Sequence, residues 1–151
     1  MPAIDHRERC FRALWQRLDS LTWFVERMQE DLSILDTENR AAPRLALFAG
    51  GTDLLDPHGP NEYRVGHQAE IVVHVRAEET PEQMRALLNE ARARVRRAIG
   101  EDPTLGGLIR EARWIGDDEP LRPLTGGLPE ATMSINYLLD TFEGVDPYLP
   151  E

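Results

Sequence analysis

Residues 80–114 read "TPEQMRALLNEARARVRRAIGEDPTLGGLIREARW", and this stretch decides the fold. Its first twenty residues have one apolar face: Met84, Leu87, Leu88, Ala91, Val95, Ala98 and Ile99 recur at helical spacing. Thr80 is placed to cap this helix, Pro81 suits its first position, and Gln83 completes a capping box. Glu78, Glu79 and Glu82 crowd the positive end of the helix dipole, and Arg92, Arg94, Arg96 and Arg97 crowd the negative end. Gly100 is placed to terminate it. Asp102-Pro103 then repeats the cap-plus-proline signature for one short turn carrying Leu105 and Leu108. Gly106 and Gly107 permit positive φ there. "REARWIG", 110–116, reads as a strand, with Ala112 and Trp114 on one side and Arg113 and Ile115 on the other.

Upstream, Phe11, Leu14, Trp15 and Leu18 give a helix over about residues 4–19, with Arg9, Arg12 and Arg17 opposite. "LTWFVERM", at about 21–28, has strand composition, with a continuation of the first helix as the alternative, and "PRLALFAGG", 43–51, is a short apolar strand ended by Gly50-Gly51. "TDLLDPHGPNEYRVG", 52–66, reads as a long exposed loop. "HQAEIVVHVRA", 67–77, alternates: Ala69, Ile71, Val73 and Val75 point one way, and Glu70, Val72, His74 and Arg76 the other. Downstream, 116–130 reads as a second long, acidic loop. "ATMSINYLLDTFE", 131–143, is a long strand with Met133, Ile135, Tyr137 and Leu139 on one face and Ser134, Asn136 and Asp140 on the other; the tail after it reads as extended. The order gives one α+β domain over 1–151: a mainly antiparallel sheet with the N-terminal helix and the central amphipathic helix packed on one face.

Composition narrows the function. The 151 residues are 41% hydrophobic and 29% charged, as in a globular chain. The formal charge is −10, every basic residue is arginine, and 116–151 hold eight acidic residues against Arg122 alone. Non-specific binding to nucleic-acid phosphate is disfavoured. One cysteine, Cys10, excludes an internal disulfide and reads as a buried inert thiol. No apolar run approaches the length of a membrane span, and "MPAIDHRERC" lacks the apolar core of a signal peptide, so synthesis in the cytoplasm is expected.

Chemical motifs are sparse. His6, His58, His67 and His74 match no metal-ligand spacing, so no metal is expected. No serine sits in a nucleophile elbow, and Asp117-Asp118 reads as a solvated turn, so neither an enzyme nor a cofactor is expected. "GEDPTLGGL" lacks the lysine of a phosphate-binding loop and reads as a structural corner built on Asp102, Pro103, Leu105, Gly106, Gly107 and Leu108.

A helix ending "AIGEDPTLGGLIREARW", an acidic linker and a strand such as "ATMSINYLLDTFE" resemble the tail-terminator or tail-completion proteins of long-tailed bacteriophages and gene transfer agents. The resemblance spans most of the chain and is strongest over 68–143. It implies an α+β virion subunit that forms a ring, usually hexameric, at the neck end of the tail. Such a ring caps the tail tube and meets the head–tail connector or stopper protein. DNA passes through its bore without specific binding, and no membrane is involved. On this reading Asp117, Asp118 and Glu119 are candidates for the bore or rim, since an acidic wall repels phosphate. Val72, His74 and Arg76, with Asp56 and His58 in the long loop, are candidate subunit or partner contacts. A head-side stopper or neck protein and a non-viral α+β binding module are the alternatives.

Overall fold

Two helices lie on one face of a five-stranded sheet in the computed structural model, which describes residues 5–37, 40–57, 62–77, 80–122 and 129–144. The elements are α1 (His6–Asp19), β1 (Glu26–Gln29), a 3-10 turn (Leu32–Leu35), β2 (Arg44–Pro57), β3 (Glu62–Arg76), α2 (Pro81–Gly100), β4 (Glu111–Asp117) and β5 (Glu130–Gly144). The sheet order is β1-β2-β3-β5-β4. Only the β1–β2 pair is parallel, so the expected mainly antiparallel α+β architecture is what the chain adopts. β3 and β5 form the spine, paired from Glu62↔Gly144 to Arg76↔Glu130. α2 then carries the chain past β5 to the far edge, where β4 begins.

The core lies between helices and sheet. Cys10, Phe11, Leu14 and Leu18 of α1 and Met84, Leu88, Ala91, Val95 and Ile99 of α2 cover Ile71, Val73 and Val75 of β3 and Met133, Ile135, Tyr137 and Leu139 of β5. Each fully buried Leu, Ile or Val contributes roughly 1.5–3 kcal/mol. Burial pushes the Cys10 thiol up to about 12, so it is inert at neutral pH. Asp5 caps α1 by accepting from the Arg7 N–H at 2.8 Å, and the capping box of α2 forms as expected, the Thr80 N–H donating to Gln83 Oε1 at 3.2 Å. Arg17, placed by spacing on the solvent side of α1, instead reaches α2 and donates from Nη2 to the Ala98 carbonyl at 2.9 Å.

Five expectations change. Gly50-Gly51 does not end β2. One extra residue is absorbed there as a bulge, between the pairs Ala49↔Ala69 and Thr52↔His67, and the strand runs on to Pro57. The cross-strand partner makes the difference: a Cβ on Gly50 would lie 2.9 Å from the Gln68 Cβ, so glycine permits close approach within the ladder. Residues 52–57 and 62–66, read as loop, are therefore two arms of a long β-hairpin. The strand expected at about 21–28 shrinks to Glu26–Gln29, because Phe24 is drawn into a turn, its N–H bonded to the Leu21 carbonyl, and is fully buried. Gly100 remains helical, and the chain reverses later, at Leu105, Gly106 and Gly107, all with positive φ. In that corner Asp102 accepts from the Gly106 N–H at 2.9 Å, and Thr104 Oγ1 accepts from the Gly107 N–H at 3.1 Å. Leu105 and Ile109 plug the core beneath it. Finally, part of the stretch read as an acidic loop extends the sheet edge: the Asp118 N–H bonds to the Ser134 carbonyl, and Leu121 pairs with Thr132. His58 and the tail lie outside the described residues.

Candidate assembly surface

The sheet face away from the helices carries two polar clusters, one at each end. At one end, residues 31–37 fold over it. Asp31 caps the 3-10 turn, and Ile34 packs on Ala46 and Val72. Arg44 is fully buried beneath and donates to the carbonyls of Ser33, Ile34 and Asp36 at 3.0–3.3 Å. Its Nε donates to His74 Nδ1 at 3.1 Å. An arginine can only donate, so Nδ1 of His74 is the acceptor and Nε2–H points to Glu130 Oε2 at 3.2 Å. Glu130 also accepts from Arg76 Nη2 at 2.9 Å and Thr37 Oγ1 at 2.8 Å, and Arg76 donates to the Thr37 carbonyl at 2.8 Å.

Val72, His74 and Arg76, the candidate contact residues of β3, are therefore brought together by bonds within the chain. Val72 and His74 are buried within the monomer, and Arg76 helps pin the segment above them. The alternation placed them on the second face correctly; the cover over that face has no periodic signature in the sequence.

At the other end of this face, Asp140 is fully buried among arginines. Arg64 grips it in a two-pronged pair at 2.7 and 3.0 Å, Arg113 Nη2 lies at 3.1 Å, and Arg110 at 3.6 Å. The hydrogen bonds from Arg64 hold the Asp140 carboxyl below the usual aspartate range. Spacing did not reveal this cluster, because its arginines come from β3, β4 and the residue before β4. Between the two ends lies a depression of about 330 Å³ lined in part by Phe48, Glu70, Ile115 and Asn136.

The third region is the β4 edge. Arg92 and Arg96 of α2 stack on Trp114 with guanidinium-to-ring distances of 5.2 and 4.5 Å. Asp117 is bound into this group, accepting from Arg92 Nε at 2.5 Å and Trp114 Nε1 at 2.9 Å. Asp118 accepts from Asn136 at 3.2 Å, and Glu119 is exposed. The three acids thus divide: Asp117 neutralises an arginine on the helix side, while Asp118 and Glu119 stand at the surface. Asp56 is exposed on the β2–β3 hairpin, paired in register with Arg64.

Beneath α1, His67 is buried with Nε2 2.7 Å from Glu143 and Nδ1 2.8 Å from Thr52 Oγ1. The carboxylate fixes Nε2 as the donor, so Thr52 donates to Nδ1. Burial holds both His67 and His74 below the usual histidine value despite their carboxylate neighbours. Among the described residues, no group of three or more His, Cys, Asp or Glu is placed to hold a metal ion, and no helix is long and apolar enough to cross a membrane.

Apolar side chains reach solvent along β4 and around β1 and the turn that follows it. Val25 is exposed just before β1, Leu32 and Leu35 on the 3-10 turn over the outer face, and Trp114, Ile115 and Leu121 along β4 and its continuation. The sequence matches no known family model and no curated protein.

Proposed function

We propose that this chain is a virion structural subunit of the tail-terminator or tail-completion kind. Copies assemble as a ring that caps the tail tube, meets the head–tail connector and lets DNA pass. The observation that carries the reading is the corner at Asp102–Leu108, which joins the main helix to the penultimate strand at the place the resemblance implies. The two outermost strands, β1 and β4, also support it, because a ring subunit needs two separate contact surfaces. Within this reading Asp118 and Glu119, rather than the paired Asp117, face the bore or rim and repel the passing polyanion.

Polymerising tail-tube protein with and without the purified chain tests the proposal by electron microscopy. Tubes are expected to stop growing and to carry a ring at one end. Tubes that elongate unchanged with bare ends overturn it. Binding to filled heads, with no effect on tubes, would transfer the chain to the head side of the joint.

A further inference from the structure

The bulge in β2 sets one side chain opposite another. Ala49 pairs with Ala69, so an unbroken ladder would place Gly51 opposite His67; the extra residue places Thr52 there instead. Bulges re-aim side chains in this way and are frequent beside active sites. The Thr52 hydroxyl donates to His67 Nδ1 at 2.8 Å, and His67 Nε2–H donates to Glu143 Oε1 at 2.7 Å. A hydroxyl, an imidazole and a carboxylate thus form one hydrogen-bonded chain, drawn from β2, β3 and β5. Thr52 is open to solvent, whereas the His67 side chain is 1% exposed and that of Glu143 21%. Space remains beside the hydroxyl, since a Cβ on Gly51 would meet nothing within 4 Å. Arg7, in the first turn of α1, brings a guanidinium to the same strand and donates to the Gly50 carbonyl at 2.7 Å. Burial holds the imidazole neutral at neutral pH, the state in which Nδ1 can take a proton.

We propose that Thr52 is a nucleophile, activated by His67 and Glu143, that takes the acyl group of small carboxylic esters and passes it to water. This is an activity of the single chain and goes beyond the structural role proposed above. Thr52 Oγ1 attacks the ester carbonyl carbon while its proton passes to His67 Nδ1. Glu143 stabilises the imidazolium that forms, and the Arg7 guanidinium is the cation that offsets charge on the carbonyl oxygen. The bond to the leaving oxygen then breaks, and the alcohol departs with the proton from Nδ1. Water attacks the acyl–Thr52 ester and gives a proton to Nδ1; that proton returns to Thr52 Oγ1 as the carboxylic acid leaves. Compact acyl groups are the expected class, because the imidazole below the hydroxyl is covered and only the hydroxyl meets solvent.

4-Nitrophenyl acetate with the folded full chain tests the proposal. The chain holds no lysine, so side-chain amines cannot take the acetyl group, and the Cys10 thiol is buried. The wild type is expected to release nitrophenolate faster than buffer alone and to carry acetyl on Thr52 in mass spectra of quenched digests. Thr52 is exposed, so its substitution leaves the core intact. Thr52→Ser should keep the reaction, and Thr52→Val, which keeps the shape without the hydroxyl, should lose the label. His67→Gln, once shown to be folded by circular dichroism, should acylate about a hundredfold more slowly. A Thr52→Val chain that reacts at the wild-type rate overturns the proposal. So does acetyl found only away from residue 52, or a wild type no faster than buffer. The readout is independent of tail tubes: capping without acylation removes this activity and leaves the assembly reading, and acylation without capping does the reverse.

Discussion

His74 has both ring nitrogens engaged inside the protein, one accepting from Arg44 and the other donating to Glu130. A second proton would have to sit on Nδ1, against a guanidinium. His67 differs: the Thr52 hydroxyl on its acceptor nitrogen could turn to accept, and burial is what disfavours the second proton there. Both histidines bind protons more weakly folded than unfolded, where the value is 6.5. Their contribution to stability is thus complete above that value and is lost as pH falls through the lower native values. The melting temperature should fall between about pH 7.5 and pH 5.5, and His74→Gln should flatten that slope in melts followed by circular dichroism. Asp140 acts in a lower range. Its folded value is depressed by Arg64, so its stabilisation is present above the unfolded aspartate range and disappears as pH falls through the native one. Asp140→Asn should lower the melting temperature at pH 7 and reduce further loss in acid. A variant that melts like the wild type in acid and at neutrality would show that the arginines gain nothing from this carboxylate.

At the scale of an element, the 31–37 segment is held by one side chain. Arg44→Met keeps the volume and removes the donors to Ser33, Ile34, Asp36 and His74. A loss of about 1–3 kcal/mol is expected for each buried group left without a partner. Hydrogen exchange should rise over 31–37 and over the covered end of β3 before it rises in α2; a uniform change across the chain would mean that the segment is not a separate unit. Gly66 is the second element-scale case. A Cβ there would lie 2.6 Å from Leu138 Cδ1, with the rest of that side chain at 2.7–2.9 Å. Gly66→Ala should destabilise by about 1–3 kcal/mol through overpacking. Leu138→Ala in the same chain should recover part of the loss, and additive losses in denaturant melts would refute the clash. The long hairpin can pack flat on β5 because position 66 has no side chain.

For the whole molecule, a formal charge of −10 and a pI near 4.9 predict that the chain leaves duplex DNA unretarded in gel shifts at ordinary ionic strength. Firm retardation would contradict the picture of a conduit wall. The sequence by itself determined both helices, the core-facing residues of β3, β5 and the position of the corner, because each is written in a local period or a cap: 3.6 in α1 and α2, two in β3 and β5, and Thr80 with Gln83 at the start of α2. It determined the α+β order for the same reason. Tertiary structure alone decided that Gly50-Gly51 is a bulge rather than an end, since only the opposite strand at Gln68 makes that distinction. It alone decided that Val72 and His74 are covered, because the covering turn is anchored by an arginine thirty residues from the histidine it meets. Asp140 gathers Arg64 and Arg113 from positions 76 and 27 residues away, and the Arg92–Trp114–Asp117 group joins a helix to an edge strand. Local periodicity records which face a residue takes; which distant charge stands opposite it follows only once strands pair and helices dock.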